Sequence, residues 1–333
     1  MTERIRVAVL AGGRSSEHEI SLASARSVLE ALDPVRYEVA TVAIGRDGRW
    51  ELGSGDGSVA ETLPVPAANA PAALGAVDVV LPILHGPFGE DGTVQGLLEL
   101  ANVAYVGAGV AGSAVCMDKD LFKKVLRASG IPVARSVAFR QGERVENPFG
   151  FPAFVKPARL GSSVGITKAH DEEELRAGAE LAFRHDEKIL VEEFQDGIEV
   201  EVGVLGNREP IASLPGQIVP LGHEWYDYSS KYDEGGMKLV IPPEGLSEEL
   251  VARAQEVAVA AFRVTECEGM ARVDCFVVDG EVVVNELNTI PGFTSTSVYA
   301  KLFEASGVPY DELLRQLIDL ALERHERRAR LVF

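Results

Sequence analysis

Lys156-Pro157-Ala158-Arg159-Leu160-Gly161-Ser162-Ser163-Val164-Gly165-Ile166 is the stretch from which the fold of this chain is read. An apolar run, Phe151 to Val155 broken by Pro152, delivers a lysine, and Val164 to Thr167 resumes extended structure beyond the glycines and serines. Small residues expose backbone N–H groups that form an anion-binding concavity, and a neighbouring lysine adds a point charge suited to phosphate. Here the lysine precedes the glycines and no helix start follows, which departs from the Walker spacing. The stretch predicts a phosphate loop between two strands.

A second stretch, Arg272-Val273-Asp274-Cys275-Phe276-Val277-Val278-Asp279-Gly280-Glu281-Val282-Val283-Val284-Asn285-Glu286-Leu287-Asn288, supplies what phosphates need. Two β-branched runs around Asp279-Gly280 predict a hairpin. Asp274, Glu286 and Asn288 are oxygen ligands at strand ends, the set expected for Mg²⁺ between carboxylates and phosphates. Alternation puts Glu286 and Asn288 on one face. A plain two-residue turn would pair Asp274 with Asn285 and send Asp274 and Glu286 to opposite faces. The metal reading therefore requires one extra residue. It predicts a three-residue connection with Gly280 in the left-handed bulge position, or a bulge elsewhere in the hairpin with the same effect.

The chain has 333 residues, 46% of them hydrophobic, enough for two or three compact units with buried cores. No apolar run is long enough to span a bilayer, and Met1-Thr2-Glu3-Arg4-Ile5-Arg6 does not read as a signal peptide. Three cysteines without metal spacing point to a reduced, cytoplasmic setting. A net charge of −19 opposes nucleic-acid or acidic-membrane partners, so any nucleotide site must concentrate its cations locally.

Three sections are predicted. Residues 1–113 alternate strands (Val7–Leu10, Val77–Leu84) with a helix from Ser21 to Leu32, as in a parallel α/β sheet, with an irregular connection over 53–75. Residues 114–195 begin at Asp118, a good N-cap, with Leu121, Phe122, Val125 and Leu126 on one helix face, stopped by Gly130 and Pro132. Asp171 and Glu174 form a capping box for the helix toward His185. Residues 196–333 mix strands with a helix after Ser247 and a closing helix carrying Leu314, Leu317, Ile318, Ala321 and Leu322, which gives an α+β second half.

Together with Ala11-Gly12-Gly13-Arg14-Ser15-Ser16-Glu17-His18-Glu19-Ile20-Ser21, Leu84-His85-Gly86-Pro87-Phe88-Gly89-Glu90-Asp91-Gly92, Met117-Asp118-Lys119, Asp227-Tyr228-Ser229-Ser230-Lys231-Tyr232 and Asn285-Glu286-Leu287-Asn288-Thr289-Ile290-Pro291-Gly292-Phe293-Thr294, these stretches resemble the ATP-grasp enzymes, and within them the D-alanine–D-alanine ligases. The resemblance covers essentially the whole chain, and the order of six motifs is what makes it specific. It implies a three-part architecture with ATP held between the central and C-terminal parts, Mg²⁺ or Mn²⁺ as two ions, a homodimer, and a role in peptidoglycan precursor synthesis.

The resemblance also implies roles residue by residue. Lys119 and Lys156 contact the ATP phosphates, with Ser162, Ser163 and Gly165 in the closing loop and Lys231 also at the nucleotide. Glu192, Glu193 and Phe194 form the adenine hinge, and Glu199 accepts from ribose hydroxyls. Glu17 faces the ammonium of the first amino acid, with Ser162 and Tyr232 holding it in place. Arg272 stabilises the reacting carbonyl's oxygens, Gly292 and Ser297 take the second carboxylate, and His85 supports catalysis from the loop after a buried strand. Tyr232, paired with Lys231, implies an amine and not a hydroxy acid as second nucleophile. Two other readings stand beside this one: an ATP-grasp ligase for a different carboxylate or amine, and a non-catalytic nucleotide-binding module suggested by Gly12-Gly13. The latter lacks the third glycine and the acidic residue of a dinucleotide fingerprint.

Overall fold

The structure, a computed structural model, describes residues 4–53, 62–65, 76–221 and 236–332. The strands β1 (Ile5–Gly12), β2 (Tyr37–Ile44), β5 (Val79–Ile83) and β6 (Ala104–Tyr105) are parallel neighbours in the first sheet. Strands β3 (Trp50–Gly53) and β4 (Thr62–Val65) extend it in antiparallel fashion, in the order β4-β3-β2-β1-β5-β6. Part of the connection expected to be irregular is therefore a strand. Pro64 is tolerated in β4 because an edge strand can spare an N–H. The rest of that connection lies outside the described residues.

Both faces of this sheet are covered, which explains the near-continuous apolar runs of β1 and β5. Val7, Val9 and Ala11 face α1 (His18–Ala31) and α8 (Tyr310–Ala329); Ala8 and Leu10 face α2 (Thr93–Leu100). The closing helix thus packs on the first sheet, and Leu313, Leu314, Leu317 and Ile318 share one core with Val7 and Val79. A second helix, α3 (Val110–Met117), leads from this sheet into α4 (Lys119–Ala128).

The second sheet, β7 (Ser136–Arg140), β10 (Lys188–Glu193), β8 (Ala153–Pro157) and β9 (Thr167–Ala169), is antiparallel in that order. Ala153, Val155, Ile189 and Val191 pack under α5 (Glu172–Ala182), so alternation turns Phe154, Lys156 and Glu192 to the other face. The third sheet runs β14 (Met237–Val240), β13 (Gly216–Pro220), β11 (Ile198–Gly206), β15 (Gly269–Val278), β16 (Glu281–Asn288), with the short β12 (Ile211–Ala212) beside β11. Val200, Val202, Val273, Cys275, Val282, Val284 and Leu287 meet α6 (Glu248–Val264), leaving the opposite face for charged residues. No helix among the described residues is long and apolar enough to cross a membrane.

Several local expectations change. Asp118 does cap α4, accepting from Leu121 N at 3.1 Å, but the helix buries Lys119, Phe122, Lys123 and Leu126, while Leu121 is 43% exposed. Two lysines thus replace Leu121 and Val125 on the inward stripe, because that stripe faces a charged cleft. Val164 lies in a turn and extended structure returns only at Thr167, since Ser162, Ser163 and Gly165 all adopt positive φ. Asp171 accepts from Glu173 N and Glu174 N, but Glu174 reaches back to His170 N at 2.8 Å, one residue before the usual partner of a capping box.

Two fastenings join the first sheet to later parts of the chain. Arg324 of α8, 3% exposed, donates to Tyr105 O at 2.6 Å and to Gly107 O, with its guanidinium 4.3 Å from the Tyr105 ring centroid. Glu90, on the loop after β5, accepts from Gly86 N at 2.7 Å and from Ile290 N at 3.0 Å. It is half-buried and lines a cavity shared with His85 and Ile290. Burial, helped by the nearby Glu17 charge, pushes its carboxyl from the ordinary 4.5 up to about 8.

Arg324→Met should lower unfolding stability by roughly 2 kcal/mol or more, because two buried carbonyls lose their donor. A urea midpoint shift worth under about 0.5 kcal/mol would contradict this. For Glu90 the sign follows from linkage: the folded carboxyl keeps its proton to higher pH than the unfolded one, so stability falls as pH rises from about 4.5 to about 8. The permanently neutral Glu90→Gln should lack this loss. Thermal midpoints of the two proteins should therefore move in the variant's favour between pH 5 and pH 8, and parallel curves would refute the assignment.

Candidate active site

The hairpin decides the site. Val278 faces Glu281, so Asp279-Gly280 is a plain two-residue turn, with both residues at positive φ (50° and 82°). The three-residue connection is thus absent, because Asp279 and Gly280 both take the left-handed geometry that a two-residue turn needs. The required extra residue lies further along: the register shifts between Asp274 and Cys275, Cys275 pairs with Val284, and Asp274 pairs with Glu286. Asn285 is the bulged residue. Asp274, Glu286 and Asn288 consequently share one face, the alternative outcome anticipated for the hairpin.

That face carries two rows of polar residues. Glu201 of β11, Asp274 and Glu286 lie opposite one another; Arg272 lies between Gly203 and Asn288 in the next row. Arg272 forks onto Asp274 at 2.7 Å through Nε and again through Nη2, with its Nε also 3.0 Å from the fully buried Glu201. Asn288 Nδ2 donates to Asp274 Oδ2 at 3.0 Å. Glu286 Oε2 is 3.1 Å from Lys119 Nζ, which also donates to Leu160 O of the glycine loop at 2.9 Å.

Lys156 leaves β8 on the cleft face. Its Nζ donates to Glu192 Oε1 at 2.5 Å and to Asn285 Oδ1 at 3.3 Å. Glu192, 1% exposed, has its second oxygen 2.8 Å from Lys123 Nζ. Burial alone would raise the Glu192 carboxyl, but the charges of Lys123 and Lys156 outweigh it and hold the group below its ordinary value. Its side chain is therefore turned to the lysines. Glu193 is held by Arg135 (Nε to Oε2, 2.8 Å), and the Phe194 ring lies under Lys168 Nζ at 4.3 Å. Glu192, Glu193, Phe194, Ser163, Lys156, Glu199 and Phe276 line a cavity of about 390 Å³.

A second cavity, about 380 Å³, adjoins the first at Glu286. Glu17, Ser162, Arg272, Asn288, Gly292 and Ser297 line it, with Ile20, Ala23, Met237 and Val298 as apolar wall. Glu17 stands at the start of α1, beyond the carboxyl end of β1, where open α/β sheets gather ligands. Ser162 Oγ donates to Glu17 Oε1, so the glycine loop is closed onto it. Glu17 Oε2 is buried and has no hydrogen-bond donor among the described residues. Gly86 makes that position possible: a Cβ there would lie 2.4 Å from this oxygen, and its φ of 75° also suits glycine.

His85, 4% exposed, is used on both ring nitrogens. Nδ1 lies 3.0 Å from Ile290 O, which can only accept, so Nδ1 carries the proton; Nε2 then accepts from Ser24 Oγ at 3.2 Å. Burial pushes its pKa down, partly countered by Glu17. His85 is a neutral strut between the two loops. Ser297 precedes α7 (Val298–Ala305), its side chain does not cap that helix but accepts from Thr294 N at 3.0 Å, and both Ser297 and Val298 line the cavity. Lys231 and Tyr232 lie outside the described residues.

Among the described residues no three His, Cys, Asp or Glu side chains cluster into a cage for a metal. Two carboxylates and an amide oxygen on one face nonetheless fit Mg²⁺, which keeps waters and substrate phosphates in its shell and is held through one or two carboxylates. Lys123, Glu201 and Glu90 were missed by the sequence reading. Glu201 had a signal, its i, i+2 relation to Glu199 within an apolar strand; Lys123 had one too, four residues after Lys119 on one helix face.

Residues 6–108 match the family description D-ala D-ala ligase N-terminus, and residues 125–319 match D-ala D-ala ligase C-terminus. A D-alanine--D-alanine ligase of Solibacter usitatus is 48% identical over 98% of both chains. The solved VanG D-Ala:D-Ser ligase of Enterococcus faecalis is 37% identical with a TM-score of 0.86, covering 96% of this chain and 100% of that one. The Bacillus anthracis D-alanine--D-alanine ligase complexed with ATP is 27% identical with a TM-score of 0.80, covering 97% and 99%. The fold is that of the ATP-grasp ligases, and the chain belongs to the D-alanine–D-alanine ligase family.

Proposed function

We propose that this chain joins two D-alanine molecules at the expense of ATP, giving D-alanyl-D-alanine, ADP and phosphate, a step of peptidoglycan precursor synthesis. The observation that carries this reading is the buried Glu17 Oε2, which has no donor among the described residues, beside the closed glycine loop. A buried carboxylate oxygen without a donor calls for a cation, and an amino acid's ammonium supplies one in a cavity of this size.

In this reading the nucleotide lies between units 114–195 and 196–333, while unit 1–113 contributes Glu17 and His85. Glu199 takes the ribose, and the backbone of Glu192, Glu193 and Phe194 takes the adenine edge. Lys119, Lys156 and Lys231 hold the phosphates, with Ser163 in the loop that covers them. Asp274, Glu286 and Asn288 would hold Mg²⁺ or Mn²⁺, as two ions, which when bound supplies charge neutralisation on the phosphates. Glu17 and Ser162 fix the first amino acid so that its carboxylate attacks the γ-phosphate, forming an acyl phosphate and releasing ADP. The second amine then attacks the acyl carbon, and phosphate leaves as the tetrahedral intermediate collapses. Arg272, kept beside the cavity by Glu201 and Asp274, steadies the oxygen that becomes negative in that step. Gly292, Ser297 and the start of α7 receive the second carboxylate. Tyr232 helps to hold the loop shut against water. The same reading takes the protein as a cytosolic homodimer with its three cysteines free.

Phosphate release measured with D-alanine, L-alanine and D-serine tests the substrate: D-alanine should be strongly preferred at both positions. Equal rates with L-alanine, or a faster reaction when D-serine is the second amino acid, would overturn the assignment. Glu17→Gln should fold normally yet lower kcat/KM for D-alanine by about 10- to 100-fold, the worth of one charged hydrogen bond. An unchanged kcat/KM would remove Glu17 from the ammonium site.

A further inference from the structure

Lys123 is 1% exposed and lines neither cavity, yet it touches the two groups on which both ends of the phosphate site depend. Its Nζ is 2.8 Å from Glu192 Oε2 and donates to Asn285 O at 3.1 Å. Through Glu192 it meets Lys156, whose Nζ holds the other carboxylate oxygen and reaches Asn285 Oδ1 at 3.3 Å. Two ammonium groups and one carboxylate are thus buried together around Asn285, the residue that makes the bulge.

The bulge explains the need for a donor here. An extra residue breaks the ladder locally and leaves main-chain groups unpaired, and buried carbonyls require partners. On this edge of β16 the segment after α4 takes what it can: Val284 N donates to Pro132 O at 2.9 Å and Ala134 N to Val284 O at 3.4 Å. The next carbonyl, that of Asn285, accepts from Lys123 Nζ. The cluster also carries one positive charge in excess, at a place where like charges repel strongly. Burial pushes the Lys123 ammonium down, Glu192 opposes this, and Lys156 adds to it. An incoming phosphate relieves the excess.

We propose that Lys123 is a positioning residue for this reaction: it anchors Glu192, and so Lys156, at the phosphate end, and pins Asn285, and so the facing of Glu286, at the cation end. This rests on the reading of Lys156 and Glu286 as nucleotide and cation contacts.

The test uses Lys123→Met, which keeps the volume and removes the charge, with Phe122→Leu on the same helix as a control for simple loss of packing. ADP binding is titrated with and without Mg²⁺, and KM for ATP and for D-alanine are measured separately. Lys123→Met should weaken ADP binding and raise KM for ATP by roughly tenfold or more, the result of an uncompensated buried carboxylate, and should shrink the tightening that Mg²⁺ gives. KM for D-alanine should change little. Phe122→Leu should lower the melting temperature while leaving ADP binding intact. If Lys123→Met binds Mg²⁺ and ADP as the wild type does, or if Phe122→Leu shifts ADP binding equally, the inference is overturned. Should Lys123→Met fail to fold, Glu192→Gln carries the test, and unchanged ADP binding in that variant overturns it as well. A wild-type chain that binds no ADP would overturn the nucleotide reading first, and this inference with it.

Discussion

Side chains on a strand must alternate, and β16 has to satisfy two demands that strict alternation cannot meet together. Val282, Val284 and Leu287 belong in the core under α6, whereas Glu286 and Asn288 must face the cleft. One inserted residue, Asn285, reconciles them. Without it, keeping Val284 inside would turn Glu286 inward as well, and an isolated carboxylate in that apolar layer would be very unfavourable. The polar face of the hairpin, the contact between Glu286 and Lys119, and the junction of the two cavities all follow from this single break in the ladder.

Charge is organised around the same place. A chain of net charge −19 has gathered Lys119, Lys123, Lys156 and Arg272 in or beside one cleft. Each is held by the protein's own carboxylates: Glu286 for Lys119, Glu192 for Lys123 and Lys156, Glu201 and Asp274 for Arg272. Such pairs keep long side chains from wandering and reduce the reorganisation needed when an anionic ligand arrives. In the proposed reading Asp274 would exchange partners when a cation binds, because it cannot give the same lone pairs to the Arg272 fork and to a cation.

Much of this was legible in the sequence. The glycine loop between two strands, the parallel first sheet and the Asp118 cap follow from local rules, and the hairpin's register problem could be posed from alternation alone. Even the bulge left a mark, since the buried positions 282, 284 and 287 step by two and then by three. What escaped were residues whose role is set by distant partners. Lys123 reads as a surface lysine until Glu192 and Asn285 are brought to it from elsewhere in the chain, and Leu121 and Val125 looked like core because the helix pattern alone does not say which face the cleft takes. Glu192 illustrates the converse: its place beside the first cavity was foreseeable, the direction of its carboxylate was not.

The packing of α8 on the first sheet has a consequence for how the protein is made. Val7, Val9, Val79 and Leu81 emerge early from the ribosome, but their covering residues, Leu313, Leu314, Leu317 and Ile318, come more than two hundred positions later. These strands therefore wait through most of synthesis with part of one apolar face, beside α1, uncovered, a situation in which nascent chains are captured by chaperones or by one another. The core of the first sheet is complete only once α8 has been made.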